Sequence, residues 1–239
     1  MEVNQLERKS LFECITADLV SVVNLSTLKD KEAVISERVK QIMPGAQSVI
    51  LLAAEVFPEV IKYFTSNRTM GDIYLSDLAN RNIELVNGHL DWDAYTIVKR
   101  LHKFGYKGTP IPAGGGPFNY REIVGIVPFG LLAQIAGMGT IGWHSMLMTR
   151  EFGARIRLSA LITDAVLPST TKTEKYYPCP ECNGACIKIC PVSAIRQPDK
   201  AGENMVDRFK CNNMIESSGG CSECLKICPA GQKVNKLNG

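Results

Sequence analysis

Eight of the nine cysteines fall between positions 179 and 228, in two runs that close in the same way. The first is Cys179-Pro180-Glu181-Cys182-Asn183-Gly184-Ala185-Cys186-Ile187-Lys188-Ile189-Cys190-Pro191. The second is Cys211, then Cys221-Ser222-Glu223-Cys224-Leu225-Lys226-Ile227-Cys228-Pro229. Thiols spaced two or three residues apart reach a common centre from neighbouring turns, which is the spacing of metal ligands. Disulfides are the competing use of many cysteines, but they belong to small exported domains. The N-terminus MEVNQLERKSLFEC mixes acids and bases where an export signal needs a basic start and an apolar run. Metal binding in a cytoplasmic, oxygen-poor setting is the expectation.

The endings of the runs choose the metal. Bacterial-type ferredoxins use C-x2-C-x2-C-x3-C-P, where three nearby thiolates wrap one 4Fe–4S cubane and the fourth turns away to ligate the other cluster. On that pattern Cys179, Cys182, Cys186 and Cys228 hold one cluster, and Cys211, Cys221, Cys224 and Cys190 hold the second. Two structural zinc sites are the rival reading, since C-x2-C pairs also make zinc knuckles. Zinc has no physical need of paired C-x3-C-P endings, so the clusters are preferred. The chain departs from the ferredoxin spacing twice, with one extra residue between Cys182 and Cys186 and nine residues between Cys211 and Cys221. Gly184, Gly219 and Gly220 stand where the backbone has to absorb them.

A chain of 239 residues accommodates one α/β core of roughly 150 to 180 residues and a smaller appended domain. The formal charge of +3 assumes neutral cysteines. With eight thiolates on two clusters, each about −2 overall, the balance falls to about −1. Bulk charge therefore gives no support to a nucleic-acid partner. Ile123 to Met148 carries no Asp, Glu, Lys or Arg and is long enough to cross a bilayer. It also holds Pro128 and five glycines, Gly125, Gly130, Gly137, Gly139 and Gly142. Such irregular backbone is tolerable only where protein satisfies the freed groups, so a buried, loop-rich core is expected rather than a membrane span.

Along the chain, the apolar spacing predicts helices over 29–42 and 72–104 and a short one over 129–135. Strands are expected around Leu19 to Val23, over Ser48 to Ala54, from Tyr106 to Ile111, and over Arg155 to Thr163. The run SVILLAA suits a central strand buried on both faces. In the last strand Ile156, Leu158 and Ala160 alternate with Arg155, Arg157 and Ser159. Pro168 to Pro178 reads as the linker into the cysteine region.

With these motifs in place, the chain resembles the superfamily of epoxyqueuosine reductases and reductive dehalogenases, cobalamin-linked proteins with two 4Fe–4S clusters. The resemblance is carried by MPGAQSVI at 43–50, FGYKGTPIP at 104–112, AGMGTIG at 136–142, EFGARIRL at 151–158, LITD at 161–164 and the double cysteine run. It implies a nitroreductase-like α/β core over residues 1–168 and a ferredoxin-like domain over 169–239. It also implies that Gly137, Gly139 and Gly142 bring backbone close to a corrinoid, with Trp143, His144 and Ser145 following, and that residues 120–125 face its reactive side. Arg155 and Arg157 are candidates to anchor an anionic part of that cofactor or a substrate.

Epoxyqueuosine reductases place an acid some thirteen positions before the A-G-x-G loop as proton donor. Counting back from Ala136 reaches Ile123, and aligning on Pro128 reaches Gly125, neither of which can give a proton. Tyr120 and Glu122 are the nearby candidates. The chain ends eleven residues after Cys228, without the extension that many such reductases use on tRNA, so tRNA is not the expected substrate.

The function implied is an iron–sulfur reductase that takes electrons from a low-potential donor and relays them through two clusters to a corrinoid, or to a substrate, at the domain interface. One alternative is a non-enzymatic, ferredoxin-like carrier or activator that reduces the corrinoid of a partner protein. Another replaces the corrinoid with a flavin. Gly137-x-Gly139-x-x-Gly142 also fits a dinucleotide fingerprint, but that fingerprint follows a strand and opens a helix. Here it follows an expected helix. Cys14 is expected to be a small buried residue on a helix beside Leu11, Phe12 and Ile15. His89, His102 and His144 share no metal-ligand spacing.

Overall fold

Ser48 to Ala53 are six consecutive buried residues, a pattern sustained by a strand covered on both faces. A computed structural model of the chain describes residues 9–29, 32–64, 73–114, 118–170, 176–198 and 205–231. It combines helices and sheet. The chain divides into two compact units, one drawn from Met1–Ala54, Val86–Met138 and Arg157–Thr173, the other from Glu55–Leu85, Gly139–Ile156 and Glu174–Gly239.

The first unit is organised on a four-stranded sheet. Its strands are β1 (Leu19–Asn24), β2 (Ser48–Glu55), β3 (Gly108–Ile111) and β8 (Ile156–Thr163), in spatial order β1-β2-β8-β3. β1 runs antiparallel to β2, with Val22 opposite Ile50, and β3 runs antiparallel to β8, with Thr109 opposite Ile162. β2 and β8 are therefore central, which is why both lack polar alternation where they are buried. Helix α1 (Ala33–Ile42) precedes β2, and its Ile35 and Val39 are buried. The long helix α3 (Ile73–Lys103) contributes Leu90, Ala94, Ile97, Val98 and Leu101 to a core shared with Ile50, Leu52 and Leu161. Each fully buried Leu or Ile stabilises the fold by about 1.5–3 kcal/mol.

The charge-free stretch from Ile123 is broken into short pieces: β5 (Val124–Gly125), paired with β4 (Phe118–Asn119), then α4 (Phe129–Ile135) and a glycine turn. Among the described residues no helix is long and apolar enough to cross a membrane. Cys14 departs from its expected place. It is exposed at φ 56°, in a turn rather than buried on a helix.

The second unit holds α2 (Pro58–Tyr63), the hairpin β6 (Thr140–Ile141) and β7 (Leu147–Met148), and three short helices, α5 (Ala185–Ile189), α6 (Arg208–Ser218) and α7 (Glu223–Ile227). Asp207 caps α6 by accepting from the Phe209 and Lys210 amides, both at 3.1 Å. Ser222 is buried with its hydroxyl 2.8 Å from the Ile61 carbonyl and 2.9 Å from that of Phe64, which ties the end of α2 to the second cysteine run.

Within the first unit the chain entering β1 is held by one carboxylate. Asp93, 4% exposed on α3, accepts from the amides of Thr16 at 2.8 Å and Ala17 at 2.7 Å and from the Thr16 hydroxyl at 3.1 Å. Asp93→Ala orphans these donors, each worth about 1–3 kcal/mol when left buried and unpaired. The expected outcome is a loss of about 2–4 kcal/mol in chemical denaturation. A loss below about 0.5 kcal/mol, the level of an ordinary surface substitution, would contradict this role.

Candidate functional site

The eight clustered cysteines are all free thiols; Cys179, Cys186 and Cys228 are buried and the other five half-buried. α5 carries Cys186 and closes at Cys190, and α7 carries Cys224 and closes at Cys228. The two helices pack on each other, so each C-x3-C ending lies beside the opposite run. Gly184 starts α5 in the left-handed region, at φ 66°, and a Cβ there would press on Ile187 and Trp143. Gly219 ends α6 at φ 70° and Gly220 follows at φ 133°. The backbone thus bends at glycine where the sequence departs from ferredoxin spacing.

The electrostatics of the thiols separates them into two sets. Burial, and then Cys182 and Cys228, push the Cys179 thiol up to about 11. Burial, and then Cys179, Cys182 and Cys228, do the same for Cys186, also to about 11. Burial and Cys182 raise Cys228, against the pull of the Arg155 guanidinium. In the other set burial raises Cys211, with Cys221 and Cys190 adding to it. Burial raises Cys221, with Glu223 and Cys190 among its neighbours. Cys224 is pushed to about 12 by burial and then by Cys221, Cys211, Cys186 and Cys190. The structure thus brings Cys228 to Cys179, Cys182 and Cys186, and Cys190 to Cys211, Cys221 and Cys224, and the sets adjoin at Cys186 and Cys224. Among the described residues no group of three or more His, Cys, Asp or Glu closes on a single-ion site.

The glycine loop follows α4 and leads into β6, so it is not a strand-to-helix turn. Gly137 turns the chain at φ 77°. A Cβ on Gly139 would overlap the Met148 carbonyl, and one on Gly142 would meet the Met148 sulfur at 2.9 Å. The hairpin's own packing therefore requires both glycines. Trp143 is buried and its indole N–H donates to the Tyr177 hydroxyl at 2.8 Å. Ser145 is exposed at φ 62° in the turn. His144 is 4% exposed, and its Nδ1 accepts from the Met146 amide at 3.1 Å. A neutral ring with Nδ1 accepting carries its proton on Nε2, and that buried atom meets no partner among the described residues.

Arg157 lies in β8 and Arg155 just before it, and they meet different partners. Arg155 donates through Nη2 to Glu55 at 3.1 Å, and Arg157 through Nε to the Asn87 amide oxygen at 2.8 Å. Of the two proton-donor candidates, Glu122 lines an open cavity of about 380 Å³, together with Arg38, Gln41, Asn119 and Gly125. Tyr120 is 85% exposed and packs on Phe118. The sequence reading missed Glu55, Asn87 and Tyr177 as partners. Nothing in their spacing distinguishes them, because each partnership joins residues far apart in the chain.

Burial pushes His144 down to about 4 from its ordinary 6.5. The unfolded chain therefore takes up a proton below pH 6.5 that the folded chain resists until about pH 4. Stability falls through that window as pH drops, by at most about 1.4 kcal/mol per pH unit. His144→Gln is expected to flatten this part of the acid profile between pH 6.5 and 4.5, measured by denaturant midpoints. An unchanged slope would contradict a buried neutral imidazole.

No protein-family model matches the chain. It is 29% identical over 212 residues to the epoxyqueuosine reductase of Vibrio cholerae, covering 80% of this chain and 52% of that protein. It is also 29% identical over 214 residues to that of Salmonella typhimurium, covering 80% and 50%. The chain thus spans about half the length of the curated relatives it matches. Among solved structures, the catabolic reductive dehalogenase NpRdhA in complex with 3-bromo-4-hydroxybenzoic acid superposes with a TM-score of 0.66 at 18% identity, over 92% of this chain and 31% of that one. An epoxyqueuosine reductase in complex with a modified tRNA stem loop superposes at 0.56 and 13% identity, over 94% and 65%. These likenesses agree: the chain is similar in sequence to the epoxyqueuosine reductases and shares its fold with solved epoxyqueuosine reductases and reductive dehalogenases.

Proposed function

We propose that the chain is an iron–sulfur reductase, in which a ferredoxin-like segment holding two 4Fe–4S clusters passes electrons from a low-potential donor to a corrinoid or a substrate on a nitroreductase-like α/β core. The domains proposed are residues 1–168 and 169–239. The observation that carries the reading is the pair of four-thiol sets, each completed by the C-x3-C-P ending of the other run. The donor set fits the group, since eight thiols with no disulfide among them offer four sulfurs to each cubane. Burial and the neighbouring cysteines hold Cys179, Cys186 and Cys224 protonated until iron takes the proton's place.

Corrinoid use is supported by likeness to a reductive dehalogenase whose structure was interpreted as a mechanism for B12-dependent dehalogenation. In this chain His144 Nε2, buried and without a partner among the described residues, would meet such a group beside Ser145. A bound corrinoid supplies a low-valent cobalt for reductive bond cleavage. Glu122 would then hold a proton in the cavity it shares with Arg38. One observation favours the second reading, a ferredoxin-like carrier that reduces a partner's corrinoid. Gly139, Gly142 and Trp143 are already engaged by Met148 and Tyr177.

Anaerobic reconstitution tests the cluster reading, and about eight iron and eight acid-labile sulfide per chain are expected. Stoichiometric zinc with little sulfide would overturn it. Adding a corrinoid, or a flavin, to the reconstituted protein separates the readings, since an absorbance change retained after gel filtration favours a bound cofactor and no retention favours the carrier.

Ile123 or Gly125 stands at the expected acid position, and loss of a positioned general acid costs about 10²- to 10⁴-fold. Epoxyqueuosine in an anticodon stem loop is therefore expected to turn over at least about 10²-fold more slowly than with an acid-bearing epoxyqueuosine reductase. Comparable turnover would contradict this.

A further inference from the structure

Arg155 is a buried cation with part of its bonding capacity unmade. It is 9% exposed. Nη2 donates to Glu55 Oε1 at 3.1 Å, whereas the buried Nε–H meets no acceptor among the described residues. A guanidinium is a poor choice for a purely structural role in such a place, because every unpaired donor there forfeits its hydration.

Its position is fixed against the second cysteine run. The Arg155 amide donates to the Phe152 carbonyl at 3.2 Å, and the Arg155 carbonyl accepts from the Val56 amide at 2.8 Å. Gly153 packs so closely on the chain after Cys228 that a Cβ would overlap the Ala230 carbonyl. Ala154, Cys228 and Ala230 share one apolar cluster with Cys179 and Cys186.

We propose that Arg155 sets the reduction potential of the cluster held by Cys179, Cys182, Cys186 and Cys228, with Glu55 as the counter-charge that limits its effect. This rests on the two-cluster reading above. One electron from a one-electron reductant takes such a cluster, counted with its four thiolates, from about −2 to about −3, and no bond forms or breaks. A nearby cation favours the more negative product and raises the potential, and a nearby carboxylate lowers it. Arg155 is thus a tuning residue that acts through the field and through an N–H available to sulfur. The second set has its own ion pair, Lys226 to Glu223 at 3.5 Å, so the two clusters are tuned separately.

Potentiometric titration of the reconstituted full chain, followed by electron paramagnetic resonance, tests this with Arg155→Gln and Glu55→Gln. Arg155→Gln is expected to make one cluster about tenfold harder to reduce at a fixed potential, a shift of about 59 mV downward for one electron. Glu55→Gln keeps an acceptor for Nη2 but removes the charge, and it is expected to move the same signal upward. The other signal stays in place in both variants. Should Arg155→Gln fail to fold or load iron, the upward shift in Glu55→Gln decides alone. Two loaded clusters with unmoved potentials, shifts of the wrong sign, or equal shifts in both signals would overturn the proposal while leaving the cluster reading intact. A wild-type protein that takes up no iron would overturn both.

Discussion

Crowding of buried thiols is the constraint on which the cysteine-bearing unit depends. Burial raises the thiols that need ionising most, Cys179 and Cys186 to about 11 and Cys224 to about 12. At neutral pH such groups stay protonated unless a metal displaces the proton. Three of the nine buried residues in that unit's main apolar cluster are cysteines, Cys179, Cys186 and Cys228. Packing and ligation therefore draw on the same side chains, and on the proposed reading metal binding contributes folding free energy directly.

The support for the thiols comes from two separated stretches of chain. Glu55–Leu85 supplies Ser76, whose hydroxyl donates to the Gly219 carbonyl at 2.7 Å, and the Ile61 and Phe64 carbonyls around Ser222. Gly139–Ile156 supplies Trp143, which contacts the start of the first run through Tyr177, and Arg150, which sits 5.3 Å from the centre of the Tyr176 ring. A cysteine-bearing segment reinforced in this way has its helix ends and its glycine turns braced by outside chain, and short helices such as α5 and α7 need that bracing because one or two turns are not stable alone.

Much of the first unit was legible from hydrophobic pattern. The run SVILLAA became the central strand β2, the helix expected over 72–104 became α3 at Ile73–Lys103, and α4 spans the expected 129–135. The alternation of Arg157 and Ser159 correctly placed them on one face of β8, since strand geometry alone decides that, whereas Arg155 lies just before the strand. Their partners were not legible, because Glu55 lies 100 residues from Arg155 in sequence and nothing local marks it. The glycine loop shows the opposite limit. Its pattern suggested a flat ligand, yet the close approach that excludes a Cβ at Gly139 and Gly142 is to the chain's own Met148. Cys14 was misplaced because the apolar neighbours that suggested a helix end in a turn, where φ is 56°.

The central claim is that the two runs exchange their last cysteines, so that neither half can bind a complete cluster alone. Paramagnetic resonance of the reduced protein in Cys228→Ser and Cys221→Ser tests it most directly. The expected result is that Cys228→Ser perturbs the signal of the cluster shared with Cys179, Cys182 and Cys186, while Cys221→Ser perturbs the other. If both substitutions alter the same signal and spare its neighbour, each run binds its own cluster and the interlocked arrangement is wrong.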